Sequence, residues 1–146
     1  MKRIYLDDVR TPTELGWEVV RNYSEFVKRV EEIGLENIEV ISLDHDLGDT
    51  AMDEYFHNVR TNYTLNYDHI SEKTGYDCAK WLVQHFYDKN PEAVGIRSAP
   101  GHFPEVYTHS ANPIGSANIM GYINNFLGNH KRPQTCIRVQ INHIIK

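Results

Sequence analysis

The run Ile38-Glu39-Val40-Ile41-Ser42-Leu43 stops abruptly in Asp44-His45-Asp46. An apolar strand that ends in two carboxylates flanking a histidine constrains both the fold and the chemistry of the chain. Two other strand-like runs end in the same manner. Arg3-Ile4-Tyr5-Leu6 ends in Asp7-Asp8, and Val106-Tyr107-Thr108 ends in His109-Ser110. From about residue 17 onward strands alternate with helices, which argues for a parallel sheet with helices on both faces.

The remaining elements follow from local chemistry. Arg10-Thr11-Pro12-Thr13 reads as a turn, and Trp17 to Arg21 as a second strand, β-branched and aromatic, with a helix from near Glu14 as the competing reading. Asn22 with Glu25 three positions on forms a capping box. Phe26, Val27, Val30 and Ile33 then keep helical spacing until Gly34. Thr74 and Asp77 form a second box ahead of Cys78, Trp81, Leu82 and Phe86 on one helical face. Residues 94–104 read as a loop with a short strand at 95–98. Asn112 as N-cap and Pro113 at the first helical position open a helix that Gly128 stops. Residues 137–141 alternate apolar and polar, as an edge strand does. Residues 49–73 are polar and tyrosine-rich without a convincing period. They read as a polar insertion and lid, with a helical turn around 52–59.

Bulk properties bound the answer. The 146 residues suit one domain, 1–146, with one core. A net charge of −5 argues against general DNA or membrane-surface binding. No apolar run approaches the length of a membrane span. Cys78 and Cys136 make no metal-type pair and suit buried thiols in a reducing cytoplasm, so a soluble cytoplasmic protein is expected.

In an open parallel sheet, ligands bind beyond the carboxyl ends of the strands, where strand order reverses. If the first and third strands are neighbours, Asp7, Asp8, Asp44 and Asp46 crowd one crevice. So many carboxylates need a counter-cation or protons. Oxygen donors favour a hard ion, Mg²⁺ by default and Mn²⁺ if a histidine joins. Strand alternation places Asp44 and Asp46 on one face and His45 on the other, although the rule weakens past the strand end. The helix start after Asn112, with the Ser110 hydroxyl, offers an anion site. Arg10 is a further candidate for phosphate. Asp77 reads as a cap, and His57, His69, His85, His102, His130 and His143 as structural or solvated.

LDD after the first strand, LDHDLG after the third, TGYD opening a helix and HSANPIG after the fourth resemble the cyclic-phosphate-processing receiver domains. More distantly the plan is similar to a two-component receiver. There paired first-strand acids and a third-strand aspartate hold Mg²⁺, and that aspartate accepts phosphate. Asp7 and Asp8 resemble the acid pair, Asp44 the phosphoacceptor, and Ser110-Ala111 the Thr/Ser-Ala step. The chain departs at its last strand. A receiver carries a lysine there, and CIRVQINHIIK offers Asn142 and His143, with Lys146 terminal. His45 and His109 are not receiver residues either.

The resemblance implies a flavodoxin-like three-layer α/β/α domain. Its five-stranded, mostly parallel sheet has order 2-1-3-4-5, and spacing reduces the first crossover helix to a turn. It also implies processing of a cyclic phosphate, with a small phosphorylated substrate such as a nucleotide or RNA end as partner. The expected catalytic groups are His45, His109 and Asp44. Ser110, Asn112 and Arg10 are expected to bind substrate, and Asp7, Asp8, Asp44 and Asp46 to bind metal. The alternatives are a receiver-type signalling module phosphorylated on Asp44 and a non-catalytic metal- or ligand-binding domain.

Overall fold

The computed structural model describes residues 1–145, and side chains through residue 142. Lys146 and the side chain of His143 therefore lie outside the described residues. Five strands form the main sheet: β1 (Lys2–Leu6), β3 (Trp17–Val20), β4 (Ile38–Leu43), β5 (Glu105–Thr108) and β6 (Ile137–Arg138), in the order β3-β1-β4-β5-β6, all parallel. Counted over these five strands, the order is the expected 2-1-3-4-5.

The helices α1 (Tyr23–Ile33), α4 (Gly75–Lys89) and α5 (Pro113–Asn129) begin where the caps indicate. Asn22 Oδ1 accepts from Glu25 N at 2.9 Å. Thr74 and Asp77 form the reciprocal box, and Asn112 Oδ1 accepts from Gly115 N at 2.8 Å. α1 ends at Gly34, whose φ of 86° suits glycine. One face of the sheet, through Ile4, Leu6, Val20, Ile41, Leu43 and Val106, packs on Phe26, Val30, Leu82, Phe86, Ile119 and Ile123 of these helices. Each such side chain fully removed from water contributes about 1.5–3 kcal/mol.

The helices gather on that one face, because α1 packs against α4 and α4 against α5. The first crossover, residues 7–16, is too short for a helix, and no helix follows β6 among the described residues. The helical layer expected on the second face is thus not among the described elements. In-register alternation puts Tyr5, Ser42 and Tyr107 on that second face.

Three local expectations are corrected. Arg10–Pro12 is not a turn but a short strand, β2, paired antiparallel with β7 (His143–Ile145). The last sheet strand is only Ile137–Arg138, because the chain then leaves the edge to meet β2. No strand forms at 95–98, where Gly95 lies in a turn and Arg97 and Ser98 in a bend.

The polar stretch 49–73 is folded. Helix α2 (Asp49–Glu54) runs through a π-helical turn (Tyr55–Val59) into α3 (Arg60–Asn62), and a 3₁₀ turn follows at Tyr67–His69. The preceding Gly48 offers α2 no side-chain cap. Glu72 supplies one from a distance: Oε1 accepts from Ala51 N at 2.6 Å, and Oε2 accepts from the Thr50 hydroxyl. Buried Glu54 ties the far end, accepting from Asn58 Nδ2 (2.8 Å), Asn66 N (2.8 Å) and His69 Nδ1 (2.7 Å).

Candidate active site

The backbone ladder runs one step past the strands. Asp44 N donates to Leu6 O and His109 N donates to Leu43 O. Asp7, Asp44 and His109 therefore stand in a row across the carboxyl edge, on the helix-free face. Asp7, Asp8 and Asp44 each bring one carboxylate oxygen within 4.8 Å of the others.

Asp7 is fully buried and fully engaged. Oδ1 accepts from Val9 N (3.0 Å) and Arg10 N (2.8 Å). Oδ2 accepts from Arg10 Nε (2.7 Å) and His109 Nε2 (3.2 Å). Burial would raise its pKa, but His109, these backbone N–H groups and the Arg10 charge hold it down at about 2. Asp44 behaves in the opposite way. Burial first, then repulsion from Asp7, pushes it up to about 7, against the lowering effect of Arg10 and of a hydrogen bond from Ser110. Asp8, half-buried, is raised by burial and by Asp7. The acid row thus remains short of positive charge although Arg10 Nη2 lies 3.5 Å from Asp44 Oδ1.

That shortage, with an all-oxygen donor set, fits a hard divalent cation. Asp8 and Asp44 are the residues to hold it, since the lone pairs of Asp7 are taken. Asp46 stands outside the trio: its Oδ1 accepts from His45 Nδ1 (2.7 Å) and Asn112 Nδ2 (3.2 Å).

The two candidate histidines part company. His109 lies on the row, its ring stacked on Tyr5 at 4.2 Å and 10°. Its Nε2 faces the ionised Asp7, so Nε2 carries the proton. Nδ1 then accepts from the Ser42 hydroxyl, 2.8 Å away. His45 turns to the other side and is 0% exposed. Its Nδ1–H donates to Asp46, and Nε2 accepts from the Tyr67 hydroxyl at 3.0 Å. That hydroxyl accepts from Asn118 Nδ2 at 3.0 Å, and burial pushes its pKa up to about 12, so it keeps its proton. The ring is seated against Gly115 of α5, where any Cβ would strike it. A Cβ on Gly75 would likewise strike the Asp44 carbonyl oxygen.

Beside the row opens a cleft of about 720 Å³, lined by Arg10, His109, Ser110, Ala111, Arg138 and residues 139–142. No carboxylate is among these lining residues. Arg10 and Ser110 belong both to the cleft wall and to the acid row. Asn112 does not line the cleft; it caps α5 and holds Asp46.

Several participants escaped the sequence reading: Ser42, Tyr5, Tyr67, Asn118, Arg138 and Arg21. Arg21 Nη1 donates to Asp7 O (3.1 Å) and Arg10 O (2.6 Å), fixing the turn that presents Arg10. Ser42 left a signal, a lone hydroxyl in an apolar strand, two positions before Asp44 and so on its face.

A parallel α/β sheet with paired acids after its first strand, an aspartate after its central strand and a serine after the next is a receiver-like domain. The chain belongs to the family described as the cyclic-phosphate processing receiver domain, which matches residues 2–125. No curated protein and no solved structure matches it. Both cysteines are buried free thiols, and burial pushes Cys136 up to about 12. Among the described residues no helix is long and apolar enough to cross a membrane.

Proposed function

We propose that the chain is a phosphoesterase that opens a cyclic phosphate, on a nucleotide or an RNA end, at the carboxyl edge of its sheet. The observation that carries this reading is the junction at Arg10. An acid trio short of positive charge lies on one side of it, and a cleft walled by two arginines, a serine and an alanine lies on the other.

In this reading Asp8 and Asp44 hold a divalent cation, Mg²⁺ first and Mn²⁺ second. The cation supplies charge stabilisation for the phosphoryl oxygens and acidifies water. The protein's own groups do the rest. Arg10 and Arg138 neutralise the substrate phosphate from the cleft side, and the Ser110 hydroxyl orients it. Water adds to phosphorus and gives up a proton, one ring P–O bond breaks, and the departing oxygen takes up a proton, so none is consumed overall. His109 is the imidazole that reaches the cleft wall, and it relays the proton: its Nε2–H leaves Asp7 for the departing oxygen, and the proton given up by the water returns to the ring. His45, which does not line the cleft and faces the opposite side of the sheet, is a positioning residue. It joins the end of β4 to α5 through Asp46 and Asn112, and to the 49–73 segment through Tyr67.

The test is ³¹P NMR on a panel of 2′,3′- and 3′,5′-cyclic nucleotides with Mg²⁺ or Mn²⁺. The strained cyclic signal is expected to give way to a monoester. His109→Ala should cost on the order of 10²–10⁴ in rate, and Arg10→Ala should raise KM more than it lowers kcat. Unchanged substrate across the panel with either cation refutes the proposal.

The receiver-type reading makes a different prediction: Mg²⁺-dependent labelling by a small phosphodonor, abolished in Asp44→Asn. It is favoured by the hydrogen bond from Ser110 to Asp44 and weakened by the missing last-strand lysine.

A further inference from the structure

We infer that Arg10 is the resident counter-charge of the acid row and competes with the divalent cation for it. The placement of this side chain is built, not incidental. Asp7 Oδ1 accepts from both Val9 N and Arg10 N, which folds the turn so that the Arg10 side chain comes back over the Asp7 carboxylate. Arg21 clamps the same turn through Asp7 O, Arg10 O and the Thr11 hydroxyl. β7 pairs along β2, with Ile145 opposite Arg10, and fixes the strand that carries it. The guanidinium then spans two acids: Nε bonds Asp7 at 2.7 Å, and Nη2 lies 3.5 Å from Asp44.

Two consequences follow. Asp7, with four donors already on its two oxygens, is withdrawn from the ligand set, so a cation is left with Asp8 and Asp44. A unit positive charge within 3.5 Å of one of those two ligands also opposes the cation directly. At the effective dielectric of a protein edge, such a charge changes affinity by tenfold or more. When a cation takes Asp44, the terminal Arg10 nitrogen is displaced toward the cleft that it already lines, where a phosphate can use it. Arg10 thus sets the cation affinity of the site as well as serving the anion side. This inference rests on the carboxylate pair holding a cation, and not on turnover.

The experiment is Mn²⁺ binding by calorimetry and by electron paramagnetic resonance, with no phosphate compound present. Wild type, Arg10→Gln, Arg10→Lys and Asp8→Asn are compared, with circular dichroism as the check on folding. Arg10→Gln is expected to bind Mn²⁺ at least tenfold more tightly than wild type. Arg10→Lys should fall between them, about threefold tighter, because one ammonium cannot span Asp7 and Asp44. Asp8→Asn should bind more weakly than wild type. Equal or weaker binding by Arg10→Gln overturns the inference, as does absence of Mn²⁺ binding in both wild type and Arg10→Gln. Should Arg10→Gln fail to fold, Arg10→Lys decides: binding no tighter than wild type is the overturning result. A null turnover assay leaves these outcomes intact, so the two readings fail separately.

Discussion

Asp44→Asn tests the electrostatics of the row with a single atom changed. Asp44 is pushed from an ordinary 3.8 to about 7, chiefly by burial and then by Asp7. A carboxyl whose folded pKa is raised binds its proton more tightly in the native state. The resulting stability is fully present below about pH 4 and is lost as pH climbs through 7. A shift of about three units at about 1.4 kcal/mol per unit sets a ceiling of about 4 kcal/mol. Asparagine is neutral at every pH and keeps an oxygen for the His45 N–H, which Asp44 Oδ1 accepts at 2.8 Å. Urea unfolding between pH 5 and 8, in chelator, should therefore show wild type losing stability while Asp44→Asn stays nearly flat. The variant should be the more stable by one to a few kcal/mol at pH 8. Asp7 does not confuse this window. Its pKa is held at about 2, so its contribution is present above 3.8 and lost only as pH falls through 2. Millimolar Mg²⁺ at pH 8 should raise the urea midpoint of wild type and leave the variant unmoved, because binding to the native state alone stabilises it. An Asp44→Asn variant less stable than wild type at pH 8, or one retaining the wild-type pH slope, would refute the reasoning.

Other outcomes follow from the same contacts. His45→Ala strands Asp46 and Tyr67 in a buried network and should cost about 2–4 kcal/mol in urea unfolding; a loss below 1 kcal/mol contradicts its positioning role. Gly115→Ala drives a methyl into the His45 ring and should destabilise by about 1–3 kcal/mol in the same assay. Glu72→Gln weakens the remote cap of α2, so hydrogen exchange at residues 49–54 should speed up at least fivefold while α4 and α5 are unaffected. Ser42→Ala removes the Ser42 hydrogen bond to His109 Nδ1 and should shift the pH profile of turnover while leaving the fold intact; an unchanged profile removes Ser42 from the site.

The acid row was legible because strand ends and side-chain alternation are local properties. Asp7-Asp8, Asp44 and His109-Ser110 mark three strand ends in the sequence, and the ladder sets them side by side. What the sequence hid depends on partners far along the chain. β2 is three residues whose strand character comes from pairing with residues 143–145, so its intrinsic pattern reads as a turn. The 49–62 helix lacked a period because a π-helical turn shifts the register of its faces, and its cap sits at Glu72. The two histidines stood as equal candidates, each at the end of a strand. Alternation separated them: His109 falls on the face of Asp7 and Asp44, and His45 on the other, beneath Gly115 and Tyr67. Asp46 went with His45, since a buried imidazole nitrogen needs an acceptor more than the trio needs a fourth acid.

The most direct test of the account is a crystal soaked with Mn²⁺ and inorganic phosphate, examined at the manganese absorption edge. The account predicts an anomalous peak between the Asp8 and Asp44 carboxylates, with a tetrahedral anion beside it against Arg10 and Ser110. An anion bound remote from Arg10, or manganese absent from the acid row in a crystal that diffracts well enough to show it, contradicts it.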